Sequence, residues 1–272
     1  MRCLLTASCL SLAAASCVAG IANAAEVDAR PPDRLILTAN GSRLVDIDDG
    51  GGGSLNWLHY FTPDALFGVG AEHQAIADSQ WSFGTLRGSF SSGDPASRFG
   101  VFGEVSRGDG DENGRNFTYS VAVLGLSQAF TSKFSVQLEG RQIDIDTTHG
   151  NLPKLGLTYI LTPRLATNVS YAHSVGGNLG TELWTARIDH YGRYVTLTLG
   201  GATGQADPSV INLPPGLRLP SQNLKEGFVG IGKTFSRGEV QLLGDYLKLA
   251  ESEKVTLTLS FTAYLGTRGR AQ

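Results

Sequence analysis

Nucleophilic catalysis needs a serine with a base in reach, and His173-Ser174 is the pair that the chain sets side by side. On an extended strand consecutive side chains point to opposite faces, so this spacing separates the two groups. The remaining histidines, His59, His73, His149 and His190, follow no ligand spacing, and no catalytic residue is assigned. A second candidate is Asp109-Gly110-Asp111-Glu112-Asn113-Gly114, which has oxygen donors at alternate positions and a glycine to turn the chain. This is the first half of a calcium loop, with Asp109, Asp111 and Asn113 as ligands. The bidentate glutamate that would complete it falls on Ser120, so the same residues also read as a solvated acidic loop. Asp46, Asp48 and Asp49 form a weaker acidic group, and no other metal or cofactor is expected.

The third chemistry is electrostatic. Arg98, Glu104, Glu139, Arg141, Lys154, Arg187 and Asp189 fall on one parity of alternating segments, so they are expected to share one side of a sheet. Both signs facing each other across water would set the preference of a pore for ions or solutes. The same charges could also pair and fill it.

The elements that must position these groups are strands. Val255-Thr256-Leu257-Thr258-Leu259-Ser260-Phe261-Thr262-Ala263 alternates apolar with hydroxylated residues, and Tyr194 to Leu199 repeats the scheme. Phe134 to Glu139 and Lys154 to Leu161 alternate too, with period two rather than the three-and-four recurrence of a helix. Short turns are expected at Thr62-Pro63-Asp64, Ser92 to Pro95, Thr131-Ser132-Lys133, Thr162-Pro163-Arg164, Tyr191-Gly192-Arg193 and Ser236-Arg237-Gly238. Longer polar connections are expected between them: Asp46 to Gly53, Asp109 to Asn116, Asp144 to Asn151, Gly176 to Gly180, Asp207 to Leu224 and Ala250 to Lys254. Sorting short from long in this way is the habit of an up-and-down barrel in an outer membrane.

The fold class read from this pattern is all-β, a transmembrane up-and-down antiparallel barrel of about 14 strands, within about 12 to 16. Alternate apolar residues would face lipid, and the intervening polar ones a wet interior. Aromatics beside the short turns, Phe61, Phe67, Phe130, Phe134 and Phe235, fit an interfacial girdle. A water-soluble all-β domain shares the alternation and is the competing architecture.

Composition agrees with this division. Residues 1–24 read as an export signal: a basic start at Arg2, an apolar run, and Ala22-Asn23-Ala24 before the expected cleavage. Lipidation of Cys17 is the alternative processing. Residues 25–33 would be a short periplasmic segment, 34–266 the barrel and 267–272 a tail. All three cysteines, Cys3, Cys9 and Cys17, lie in the signal, which leaves the barrel without thiol chemistry. A net charge of −3 gives no reason to expect nucleic acid.

The paired motifs Phe61-Thr62-Pro63-Asp64 and Leu161-Thr162-Pro163-Arg164, the abundant glycine and the Thr/Leu final strand resemble small proteobacterial outer-membrane barrels. The nearest resemblance within these is to the YaiO-like group, itself similar to the barrel part of exopolysaccharide secretion proteins. It spans residues 33 to 266 and implies a Gram-negative outer-membrane monomer. The expected partners are outer-membrane lipids, lipopolysaccharide and the barrel assembly machinery. Such barrels end on an aromatic residue, whereas this chain continues through Gly266 to Gln272, leaving Phe261 or Tyr264 for that part. The helical-repeat periplasmic domain of such exporters is not expected within these 272 residues. Outer-membrane phospholipases and lipid A deacylases share a His-x-Ser-Asn arrangement that is not found here. The functional expectation is a passive pore or export conduit, for polysaccharide or small solutes. The alternatives are a lipid-modifying enzyme and a structural or adhesive barrel with a plugged lumen.

Overall fold

The computed structural model describes residues 31–45, 48–76, 79–112, 114–207, 222–250 and 252–266. The expected signal segment and tail, and Asn113 of the acidic motif, lie outside the described residues. The strands are β1 (Asp33–Leu44), β2 (Asp48–Thr62), β3 (Ala65–Ile76), β4 (Ser79–Ser92), β5 (Phe99–Glu112), β6 (Arg115–Ala129), β7 (Phe134–Ile145) and β8 (Thr148–Thr162). They continue with β9 (Leu165–His173), β10 (Val175–Gly177), β11 (Glu182–Tyr191), β12 (Val195–Ala206), β13 (Gln222–Phe235), β14 (Gly238–Lys248) and β15 (Glu253–Leu265). Apart from β10, which pairs only with β8, the strands pair antiparallel in chain order, β9 pairing with β8 and β11, and β1 pairs with β15. The sheet therefore closes on itself. β10 only extends the β9 span along β8, with a register shift between Val175 and Gly177, so the wall is a closed barrel of 14 strands.

Both ends of the barrel chain meet at one rim, where Asp33 pairs with Leu265. The Thr-Pro turns stand at this rim, called here the turn end; the opposite rim is the loop end. Asp94 closes the 93–98 turn, accepting N–H groups of Ala96 and Ser97 at 2.8 and 3.0 Å. These bonds, Ala96 first, hold its carboxyl below the ordinary range.

Three of the expected long connections are strands instead. β2 begins at Asp48 and carries Gly50 to Gly53 in full register with β1. β5 runs to Glu112 and β6 starts at Arg115, while β7 runs to Ile145 and β8 starts at Thr148. The paired ladder continues through this polar and glycine-rich sequence. The two rims therefore do not differ by loop length as expected; the stretch from Asp207 to Leu224 is long, and 208–221 lies outside the described residues.

A path that slips one residue toward the turn end at each strand passes Thr38, Leu55, Gly70, Leu86 and Glu104. It returns through Leu243 and Leu259 to Thr38. Because it closes, it marks one level of the barrel. At and below this level the outward residues are apolar and exposed: Leu124 65%, Leu199 61%, Leu138 55%, Leu259 51%. On β15 the outward series runs Val255, Leu257, Leu259, Phe261, Ala263, Leu265. Ten steps of about 3.3 Å, tilted by about 40°, give an apolar belt about 25 Å tall, which is the height that membrane barrels present to lipid. Phe61, Phe67, Phe130 and Phe235 are exposed at its turn-end edge, joined by Phe90, Phe99 and Tyr194.

Candidate functional site: the barrel interior

Inward side chains stack in layers because the alternation of every strand is shared around the wall. The middle layer is polar. Thr38, Ser54, Thr85, Ser106, Thr158, Ser170, Thr185, Thr198, Thr256 and Thr258 are all buried. Charges sit among them in pairs set by i, i+2 spacing or by direct register. Arg141 Nη2 donates to Glu139 Oε1 at 3.1 Å, and Lys154 is the register partner of Glu139 on β8. Arg187 Nε and Nη2 lie 2.9 and 2.8 Å from Asp189 Oδ1, which also accepts the Thr198 hydroxyl at 2.7 Å. Arg87 reaches Glu104 at 3.6 Å and the Asn56 side-chain oxygen at 3.0 Å. Each cation is thus held close to a carboxylate, which lowers the cost of placing it inside the wall.

Six of the seven charged residues proposed from sequence therefore lie on the inward parity of strands: Glu104, Glu139, Arg141, Lys154, Arg187 and Asp189. Arg98 does not. It belongs to the 93–98 connection and pairs with Asp64 of the neighbouring turn, stitching two hairpins at the turn end. The acidic motif departs as well. Asp109 and Asp111 stand on the outward side of β5, opposite Ser82 and Gln80 of β4, in a tight hairpin whose Gly114 N–H bonds Asp111 at 3.2 Å. A paired strand holds these carboxylates in a row rather than wrapping them around an ion. Among the described residues no group of three or more acidic, histidine or cysteine side chains converges.

Near the turn end Ile36, Leu58 and Tyr60 form a second buried cluster, with Leu66 packed against it. Arg34 lies over the rings of Tyr60 and Tyr264, 5.3 and 5.9 Å from their centroids.

Toward the loop end the chemistry of both faces changes at the same height. About three residues above the Thr38 level, the outward positions become His73, Arg107, Gln142, His173 and Thr203, while inward ones become Phe83, Val121, Leu152 and Leu183. Above that stands an apolar cluster contributed by β1, β4, β6 to β9 and β11 to β14, including Leu44, Trp81, Phe117, Tyr119, Ile143 and Leu247. Phe83 and Tyr119 stack with centroids 4.7 Å apart. Ile143 and Leu183 are each 1% exposed, while on β3, β13 and β15 the inward positions at about this height are Gln74, Glu226 and Lys254.

The 174–181 segment turns into this layer. Gly176 and Gly177 have φ of 70° and 69°, and a Cβ on Gly177 would come within 2.0 Å of the His149 carbonyl oxygen. Asn178 anchors the turn, donating to the Thr147 carbonyl and accepting the His149 N–H, each at 2.8 Å. Leu179 is thereby buried in the apolar cluster.

His173 and Ser174 do not form a catalytic pair. The His173 ring stacks near Tyr171, and Ser174 Oγ accepts the Thr181 N–H at 2.9 Å. A different contact escaped the sequence reading: His73 Nδ1 lies 2.8 Å from Ser82 Oγ on the outer wall. Only the β3–β4 register reveals it. No carboxylate is bonded to His73 among the described residues, so the third member of a hydrolytic triad is lacking.

Comparison with solved structures returns barrels of the same build. The CymD monoaromatic hydrocarbon channel superposes with a TM-score of 0.60 at 12% identity, over 88% of this chain and 90% of that one. The Pseudomonas putida toluene transporter TodX gives 0.53 at 10% identity, over 85% and 89%. The Acinetobacter baumannii outer membrane protein Omp33 gives 0.51 at 12%, over 86% and 99%. At such identities the likeness is one of fold. No family model and no curated protein matches the chain, so the YaiO-like resemblance finds no match there.

Proposed function

We propose that this chain is an outer-membrane barrel that passes small uncharged solutes passively, with the apolar layer at the loop end as its filter. The observation that carries this reading is the reversal of polarity at one height. Through the belt, lipid-facing Leu and Phe back onto a lining of hydroxyls and paired charges. Above the belt the outer face is largely polar and much of the inner face carries the apolar cluster. A dry apolar constriction opposes the passage of hydrated ions, because an ion entering it loses its water without replacement. It offers nothing to the hydroxyls of a polysaccharide and favours compact apolar molecules. The channels CymD and TodX, described as carrying monoaromatic hydrocarbon and toluene, support the same solute class by fold.

One observation favours a second reading, a plugged barrel. Interior groups of both layers are almost inaccessible, Asp189 at 2% and Leu183 at 1%. Swelling of proteoliposomes in a graded series of uncharged solutes, run beside planar-bilayer current, separates the two. The channel reading expects swelling with the smaller solutes, little ion current, and more current from Leu179→Ser. Absence of both swelling and current, in the parent and in Leu179→Ser refolded to full heat-modifiable mobility, establishes the plug.

A further inference from the structure

A groove of about 700 Å³ crosses the outer wall of β1 to β5. Two register rows build it. The lower row is Leu37, Leu55, Ala71, Gly84, Arg107, and the upper is Gly53, His73, Ser82, Asp109. These nine residues stand on the outward parity. Because the strands tilt, each row climbs as it passes from β1 to β5, leaving the belt at Leu37 and reaching the polar rim at Arg107 and Asp109. Four strand spacings of about 4.8 Å make it about 19 Å long.

Its floor is low because Gly53, Ala71 and Gly84 carry almost no side chain, while Leu37 and Leu55 wall the lower end. Chemistry changes in order along it: apolar, then the cation Arg107 with the hydrogen-bonding pair His73 and Ser82, then the carboxylate of Asp109. That sequence is complementary to one molecule read from its tail: acyl chain, phosphate, ammonium.

We propose that this groove is a binding site for a single phospholipid with a phosphoethanolamine head. Its chain runs from Gly84 over Ala71 to Leu55 and Leu37, its phosphate meets Arg107 and the His73–Ser82 pair, and its amine meets Asp109. The site rests on the membrane reading, since the groove's lower half lies within the apolar belt. A phosphate at Arg107 forms a charge-assisted bond of the strong class, and an ammonium with three donors suits a carboxylate better than a methylated head does.

The test is native mass spectrometry of the refolded barrel released from micelles with equal amounts of phosphatidylethanolamine, phosphatidylglycerol, phosphatidylcholine and lipid A. One retained phosphatidylethanolamine per barrel is expected, at least about fivefold over the others. Asp109→Asn should abolish the preference over phosphatidylglycerol, and Arg107→Gln should lower retention of every phosphate-headed lipid. Gly84→Leu should displace the lipid without harming the fold, because a Cβ there has its nearest neighbour at 3.9 Å. Equal retention of all four lipids, preferential retention of lipid A, or unchanged retention in Gly84→Leu would overturn the assignment. Failure of the membrane reading is distinguishable, since the barrel would then not insert into lipid vesicles at all.

Discussion

The belt half and the loop-end half of this barrel are made from the same strands in unbroken register, yet they carry opposite patterns. On β12, Leu197 and Leu199 point outward and Thr198 inward; a few residues later Thr203 points outward and Ala202 and Ala206 inward. The backbone does not change between the two; the surroundings do. Inside hydrocarbon, apolar side chains gain nothing by turning inward, so polar groups collect in the interior and pair there. Beyond the bilayer, water on the outside restores the ordinary arrangement of a soluble β-barrel, with a dry core. The core at the loop end is therefore a consequence of the strands outreaching the membrane.

Substitutions that treat the two halves alike should fail to have like effects. The largest loss is expected from Asp189→Ala, which strands Arg187 inside the wall and should cost about 3 to 5 kcal/mol in denaturant unfolding from lipid vesicles. Arg187→Met made together with it should recover much of this. Next comes Leu199→Arg, which puts a cation on the lipid face and should cost about 2 to 4 kcal/mol. Thr203→Arg lies on the same strand and the same face but above the belt, and should change stability by no more than about 0.5 kcal/mol. Equal costs for the two arginines would erase the boundary between the halves. The exposed Arg43–Asp49 pair, also above the belt, should prove comparably slight, within about 1 kcal/mol on Arg43→Ala.

The smallest effect concerns pH at the opposite rim. The Asp94 carboxyl is held below its unfolded value by the Ala96 and Ser97 donors. Its contribution is thus present above the ordinary carboxylate pKa of about 3.9 and is lost as pH falls through the lowered folded value. Hydrogen exchange at the Ala96 and Ser97 amides should quicken below that point, relative to the base rate at each pH, and in Asp94→Ala should be quick throughout.

Much of the wall was legible before any coordinates. The Thr/Leu alternation of β15 assigns faces unaided, and Thr62-Pro63 and Thr162-Pro163 do mark turns. Inward Glu139, Arg141, Arg187 and Asp189 follow from parity alone. Period two, however, reports that a residue lies opposite its neighbour and not which side is wet. Trp81, Phe83, Phe117 and Tyr119 alternate with Ser82 and Thr118 just as the belt leucines alternate with threonine, so the apolar layer was invisible. Gly50 to Gly53 and Asp109 to Asp111 looked like loops because strands outside the bilayer carry polar outer faces. The His73–Ser82 contact and the groove needed register across four strand pairs, which no local pattern supplies.

The central claim is that the outward parity meets hydrocarbon only up to the level of His73. Single cysteines along β15, at 255 through 263, each carrying a fluorophore in vesicles of brominated lipid, test it most directly. Strong quenching is expected at 257, 259, 261 and 263, weakening at 255, with none at 256, 258 and 260. Quenching on the threonine parity, or equal silence on both parities in the inserted protein, would contradict the account.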